Sequence, residues 1–156
     1  MKTFNCDACG NTVYFENIRC LKCGHALGFQ SERLDMATLA PPHGTLYREF
    51  RRGAFARYAY CANMQQGGCN WLVPEGAATP YCRACALNRT IPDLSDPRNV
   101  DAWRLFERAK KRLVYSLLRF GLPLDGAAVG KGPLTFDFIN DALTGHLDGV
   151  ITIAVG

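Results

Sequence analysis

The spacing of apolar residues along this 156-residue chain changes character twice. Up to about residue 95 the apolar positions come in short alternating runs. Thr12-Val13-Tyr14-Phe15-Glu16-Asn17 predicts a strand and a turn, and Ala26-Leu27-Gly28-Phe29 a short strand. Tyr47-Arg48-Glu49-Phe50 and Phe55-Ala56-Arg57-Tyr58-Ala59-Tyr60 alternate again, with Gly53 marking a turn or bulge, and Asn70-Trp71-Leu72-Val73 predicts a further strand that buries Trp71. Residues 26–46, with the turn-rich Leu39-Ala40-Pro41-Pro42-His43-Gly44, read as a linker.

The period then lengthens. Trp103, Phe106, Leu113, Leu117 and Phe120 recur at helical spacing and predict one apolar face of a helix from about Val100 to Phe120. Asn99 is the expected N-cap, Asp101 favours the first turn, and Gly121 and Pro123 stop the helix. Beyond it, residues 133–155 predict a hairpin or strand pair. Leu134-Thr135-Phe136-Asp137-Phe138 alternates, Gly145 to Gly149 supplies turn residues, and Val150 to Val155 is almost wholly apolar. Such a strand expects neighbours on both faces, and two strands alone are marginal. The expectation is the N-terminal portion of a longer fold.

The cysteines change this picture most. Six of the eight sit in Cys-x-x-Cys pairs: Cys6/Cys9, Cys20/Cys23 and Cys82/Cys85. The other two, Cys61 and Cys69, form a spread pair around a Gln65-Gln66-Gly67-Gly68 insert that can fold as a small loop. Paired thiols at this spacing, in a chain whose N-terminus lacks an apolar h-region and is expected to carry no signal peptide, favour metal over a disulfide framework. Cys9 and Cys23 are each followed by glycine, which supplies the positive φ that a metal knuckle needs there. Residues 6–23 thus give a zinc-ribbon pattern, and residues 61–85 a second set of four thiols. Four protein ligands leave no open position for water or substrate, so both expected sites are structural. Tetrahedral thiolates also suit rubredoxin-type iron. For the second set, free structural cysteines beside a lone Cys-x-x-Cys is the bland alternative. A thiol redox role for Cys82-Arg83-Ala84-Cys85 lacks the βαβ context it requires.

His25, His43 and His146 read as solvated loop or turn residues. A formal charge of +4 permits nucleic-acid contact without arguing for it. Arg108, Lys110, Lys111 and Arg112 could touch phosphates, but on an amphipathic helix with Glu107 they read better as the solvated face. Tyr47, Phe55, Tyr58 and Tyr60, interleaved with Arg51, Arg52 and Arg57, could stack bases or simply line a half-buried strand. No apolar run approaches the ~18 residues of a membrane span. The chain is therefore expected in the cytoplasm, with no membrane partner.

The runs Cys69-Asn70-Trp71-Leu72-Val73-Pro74 and Cys82-Arg83-Ala84-Cys85-Ala86-Leu87-Asn88-Arg89-Thr90-Ile91-Pro92-Asp93-Leu94-Ser95 carry a resemblance, as do the knuckles, Phe15-Glu16-Asn17 and Trp103…Ala109-Lys110-Lys111-Arg112-Leu113. They resemble the bacterial family of zinc-ribbon proteins with a zinc-binding metallopeptidase domain. The resemblance runs over nearly the whole chain. It implies that Cys6, Cys9, Cys20, Cys23, Cys61, Cys69, Cys82 and Cys85 are zinc ligands, and that the complete protein is a zincin-like peptidase. The family's His-Glu-x-x-His helix is absent here, so no catalytic residue is assigned and the chain is expected to be inactive alone.

The expected fold is small α+β: a zinc ribbon (1–30), a linker (31–46), a second zinc-binding β module (47–95), then a helix and hairpin (96–156) that begin a zincin-like domain. The expected function is zinc binding by two structural four-cysteine sites, with the missing peptidase half or a protein as partner. The alternative is a zinc-ribbon adaptor for nucleic acid or protein.

Overall fold

The computed structural model describes residues 2–51, 53, 55–125, 132–140 and 143–155. Arg52 lies outside these. The chain forms two compact units, residues 1–64 with 69–82 and residues 65–68 with 83–156.

The first unit is built from three small antiparallel sheets. Strands β1 (Phe4–Asn5) and β2 (Thr12–Val13) pair with Phe4 opposite Val13. Strands β3 (Ala26–Gln30) and β4 (Asp35–Leu39) form a hairpin in register from Ala26↔Leu39 to Gln30↔Asp35. Strands β5 (Tyr47–Arg48), β6 (Arg57–Tyr60) and β7 (Leu72–Pro74) make the third sheet. Strand β4 occupies part of the passage expected to be a linker. Its Met36-Ala37-Thr38-Leu39 run is buried on both faces, so the alternation that would advertise a half-exposed strand is missing.

The core of this unit gathers around Phe29 of β3. Its ring centroid lies 4.8 Å from Phe15 and 4.7 Å from Trp71, both edge-on or tilted. Gly28 is required where it stands. A Cβ there would lie 2.4 Å from Leu72 Cδ2, so only glycine lets β3 settle against that side chain.

A half-buried ion pair crosses the same unit. Glu49 is 5% exposed and accepts hydrogen bonds from Arg33 Nη1 at 3.0 Å, Arg33 Nη2 at 2.8 Å and Gln30 Nε2 at 2.7 Å. Burial pushes the Glu49 carboxyl up, but Arg33 and Gln30 bond its charged form and hold it, on balance, below the ordinary carboxylate range. A depressed carboxyl contributes stability that is present above its unfolded value, about 4.3, and is lost as pH falls through the lower folded value. Arg33 is partly solvated, which discounts the pair. Glu49→Gln should lower stability by about 1–2 kcal/mol, and the melting-point difference from wild type should stay constant from pH 8 to pH 5. A gap that narrows within that window would show a carboxyl that is not held low.

Among the described residues, the second unit packs one helix on a four-stranded sheet. Helix α1 spans Pro97–Arg119, three residues earlier than the spacing predicts. Asp96 is the N-cap, its side chain accepting from the Arg98 N–H at 2.9 Å, and Pro97 takes the first helical turn. Asn99 is instead buried inside the helix, donating from Nδ2 to the Asp93 carbonyl at 2.9 Å.

The buried face of α1 also differs from the apolar pattern. Trp103 is buried as expected, but Leu113 and Phe120 are 41% and 75% exposed, and the face continues through Glu107, Lys110, Lys111, Val114 and Tyr115. Charged residues thus occupy interior positions that hydrophobicity assigns to solvent. Arg108 and Arg112 are exposed, but Lys110 and Lys111 are not.

The sheet follows the order β10-β11-β9-β8. Here β8 is Asn88–Thr90, β9 Thr135–Ile139, β10 Gly145–Leu147 and β11 Val150–Ala154. The expected hairpin is corrected: β9 and β11 pair in parallel, and the antiparallel partner of β11 is β10. The tight turn is confined to Asp148 and Gly149, both at positive φ, which leaves Gly145-His146-Leu147 free to be strand. Trp103, Phe136, Phe138 and Val155 form the core between helix and sheet. Trp103 packs so closely on the backbone at Gly68 that a Cβ there would meet its ring at 2.6 Å.

Candidate metal centres

Each knuckle of the first cluster is a short turn closed on its own cysteine. The Gly10 N–H donates to the Cys6 carbonyl at 2.8 Å, and the Gly24 N–H to the Cys20 carbonyl at 2.9 Å. Gly10 and Gly24 hold φ of +70° and +77°, as the sequence predicts for the residue after each pair. The turns bring Cys6 Sγ to 3.6 Å from Cys23 Sγ and Cys9 Sγ to 3.7 Å from Cys20 Sγ.

Two neighbours complete this cluster. Thr38 of β4, fully buried, accepts from the Asp7 N–H at 2.8 Å and donates from Oγ1 to Cys6 Sγ at 3.6 Å. His25 places Nδ1 3.3 Å from Cys23 Sγ and its ring edge-on to Phe50, centroids 4.8 Å apart. It remains a partly exposed loop residue, as its position in the sequence suggests, but its ring is held by Cys23 and Phe50. A ligand thiolate with a fixed donor beside it is held in orientation, the usual task of groups behind a metal site.

The thiols of this cluster hold their protons unequally. The Cys23 backbone N–H brings Cys20 down to about 6, against a smaller opposing effect of burial. Cys23 is driven up to about 12. The His25 backbone favours its thiolate, but desolvation and the neighbouring Cys9, Cys20 and Cys6 sulfurs outweigh that. A cation bound among the four replaces these shared protons, so its binding releases them and weakens in acid.

The second cluster gathers Cys61, Cys69, Cys82 and Cys85, all buried. Cys61 follows β6 and leads into a single 3-10 turn, Ala62–Met64. The Gln65–Gly68 insert returns the chain, using positive φ at Gly67. Cys69 Sγ lies 3.6 Å from Cys82 Sγ and accepts from the Trp71 N–H at 3.4 Å, while Cys61 Sγ accepts from the Cys82 N–H at 3.4 Å. Backbone N–H groups aimed at sulfur favour thiolates.

Cys85 opens the 3-10 turn Cys85–Leu87 and meets a side-chain network that the cysteine spacing does not announce. Its thiol donates to Glu107 Oε2 at 3.7 Å. Glu107 Oε1 accepts from Asn88 Nδ2 at 2.7 Å and from Lys110 Nζ at 2.6 Å, and Lys110 also bonds Asn88 Oδ1. Lys110 Nζ stands 5.6 Å from the ring centre of Phe136 and 5.5 Å from that of Phe138. Burial raises the Glu107 carboxyl, opposed by the Lys110 ammonium and the Asn88 amide. The available signal was the pair Glu107 and Lys110, three apart between Trp103 and Val114, on the face that is buried.

In both clusters the four sulfurs lie within 4.8 Å of one another. A tetrahedron with zinc–sulfur bonds of about 2.3 Å has edges of about 3.8 Å, whereas a disulfide needs sulfurs at about 2.05 Å. The observed 3.6–3.7 Å contacts match the tetrahedron. The residues fit a four-coordinate metal and leave it no open position.

His25 borders the first cluster without belonging to either set of four sulfurs, and among the described residues no further metal-binding group forms. His43 and His146 are exposed. Part of the candidate base-stacking surface is taken up in packing and ion pairs, while Phe55 is exposed. Tyr47 and Tyr60 pack edge-on at 5.2 Å, Tyr60 Oη donates to the Leu27 carbonyl at 2.7 Å, Arg51 pairs with Asp7, and Arg57 with Glu75. Among the described residues, no helix is long and apolar enough to cross a membrane.

Comparison with known proteins agrees with this geometry. Residues 99–156 match a family described as "Putative zinc-binding metallo-peptidase". Uncharacterized proteins of Mycobacterium bovis and Mycobacterium tuberculosis are 32% identical over 158 residues, an overlap that takes in 98% of this chain and 42% of theirs. The chain thus spans less than half the length of these relatives. No solved structure matches it. The match that covers most of the chain, residues 3–96, is to a zinc-ribbon domain. This is a zinc-binding protein with two four-cysteine sites, and it belongs to that zinc-ribbon family.

Proposed function

We propose that Cys6, Cys9, Cys20 and Cys23 hold one structural zinc ion and Cys61, Cys69, Cys82 and Cys85 the other. On this reading residues 99–156 contribute a helix and sheet to a metallopeptidase domain of a longer protein. The observation that carries the assignment is the gathering of four sulfurs within 4.8 Å of one another in each cluster, with Cys6–Cys23, Cys9–Cys20 and Cys69–Cys82 close to a tetrahedral edge. Closed coordination gives the zinc a role in folding rather than in chemistry. The three histidines are neither grouped nor spaced as a zincin requires, so they do not fit a catalytic zinc and no catalytic step is assigned to them. Eight thiols in metal sites, none of them in a disulfide, suit a reducing compartment such as the bacterial cytoplasm.

Elemental analysis with thiol titration tests the ligand sets. Wild type should carry about two zinc ions per chain with all eight thiols protected. Cys82→Ser should lose one ion and leave the Cys6–Cys23 set protected. Retention of both ions by that variant would remove Cys82 from the ligand set, and iron in place of zinc would reassign the metal.

A further inference from the structure

Zinc with four thiolates is a net dianion, and at the second centre all four sulfurs are buried, where unbalanced charge is costly. Two charged groups stand behind Cys85, and they oppose each other. Glu107, fully buried, sets Oε2 3.7 Å from the sulfur. In the thiol this contact is a hydrogen bond, donated by S–H. Once a metal replaces that proton, the same two atoms are both negative and repel.

Lys110 lies beyond Glu107 and its side chain is 1% exposed. It is fixed by Glu107 and Asn88 and set against the rings of Phe136 and Phe138. A lysine seldom stands inside a protein unless another charge needs it there. One carboxylate accounts for one ammonium, but the metal-loaded centre adds two more negative charges to the same region. The Asn88 amide spans the pair, donating to Glu107 and accepting from Lys110, so neither charge can swing away without breaking the network.

The geometry points to Lys110 as the counter-ion of the metal-loaded second centre, with Glu107 as the opposing charge that keeps its hold on zinc submaximal. Both are positioning residues that act through Cys85 and not zinc ligands. Lys110 favours the loaded state over the protonated thiols, and Glu107 disfavours it. The pair would set how readily this centre exchanges its metal, while the first centre, with Cys23 exposed and His25 beside it, is set separately. This inference rests on the assignment of Cys85 as a zinc ligand.

The test is zinc release from the full chain to a chelator, read site by site by alkylating the released thiols and locating the label by mass spectrometry. Helix melting is followed on the same samples. Glu107→Gln should slow the exposure of Cys82 and Cys85 roughly tenfold, within the ~10- to 100-fold that groups behind a metal site command. It should do so while lowering the melting temperature, because Lys110 loses its partner. Lys110→Met should speed release by a similar factor, the double variant should return close to wild type, and Lys110→Arg should stay near it. Cys20 and Cys23 should be unaffected in every case. A packing role alone would make metal retention follow stability, so faster or unchanged release in Glu107→Gln overturns the inference. That outcome is decisive even if Lys110→Met fails to fold. If wild-type Cys82 and Cys85 are labelled before any chelator is added, the ligand assignment itself fails, and the inference with it.

Discussion

Removing the metal with a strong chelator should abolish the β structure of residues 2–82 and leave most of the α1 helical signal in place. The sheets of the first unit are short, with β1, β2 and β5 only two residues long each, and small modules of this kind draw their stability from the metal. Structural zinc supplies an apparent ~10–16 kcal/mol in ribbon-sized peptides, comparable to the whole stability of an ordinary domain. Helix α1 is differently placed. It packs through Trp103 on Phe136, Phe138 and Val155, a core that contains no thiol. Circular dichroism at 222 nm with amide hydrogen exchange separates the two units. Protection in β3 and β4 should vanish on chelation, and protection in the middle of α1 should persist. Retained protection in β3 would show that the Phe29 cluster holds the unit without metal.

Trp71→Ala should cost about 3–5 kcal/mol, the largest effect expected of any single apolar substitution in the first unit. Trp71 is fully buried, 4.7 Å from Phe29 and 6.1 Å from Phe15 between ring centroids, and its backbone N–H bonds Cys69 Sγ. The substitution removes the ring and keeps the backbone donor. A unit of this size should therefore melt at least ~12 °C lower while binding the same amount of zinc. Trp71→Phe should cost much less, because the indole N–H is buried with no hydrogen-bond partner among the described residues. If Trp71→Ala released zinc from the second cluster, the ring itself would be part of what holds Cys69.

The two groups of four cysteines were legible in the sequence and the second unit was less so, for physical reasons. Thiol spacing is a local property, and the glycines after Cys9 and Cys23 report the turn conformation directly. Strand β4 escaped because a strand buried on both faces has no alternation to show. The parallel pairing of β9 with β11 escaped because parallel strands are joined by a crossover, which no tight turn in the sequence announces. The inner face of α1 was misassigned by hydrophobicity, which places Glu107 and Lys110 in solvent. Only their mutual pairing, together with Asn88, makes them interior residues. Thr38 likewise reveals its bond to Cys6 only once β4 exists.

The two ligand sets do not interleave: the first ends at Cys23 and the second begins at Cys61. Each therefore closes over a short stretch of chain, at a modest entropic cost that grows slowly with loop length. During synthesis the first knuckles can capture their ion before any residue of the second has been made, which keeps thiols of different sets from competing for it. The slow step then lies elsewhere. Pairing β8 with β9 joins segments that are distant in the chain, and such non-local pairings govern folding rates. Assembly should proceed as two quick local captures followed by one slower closure of the mixed sheet.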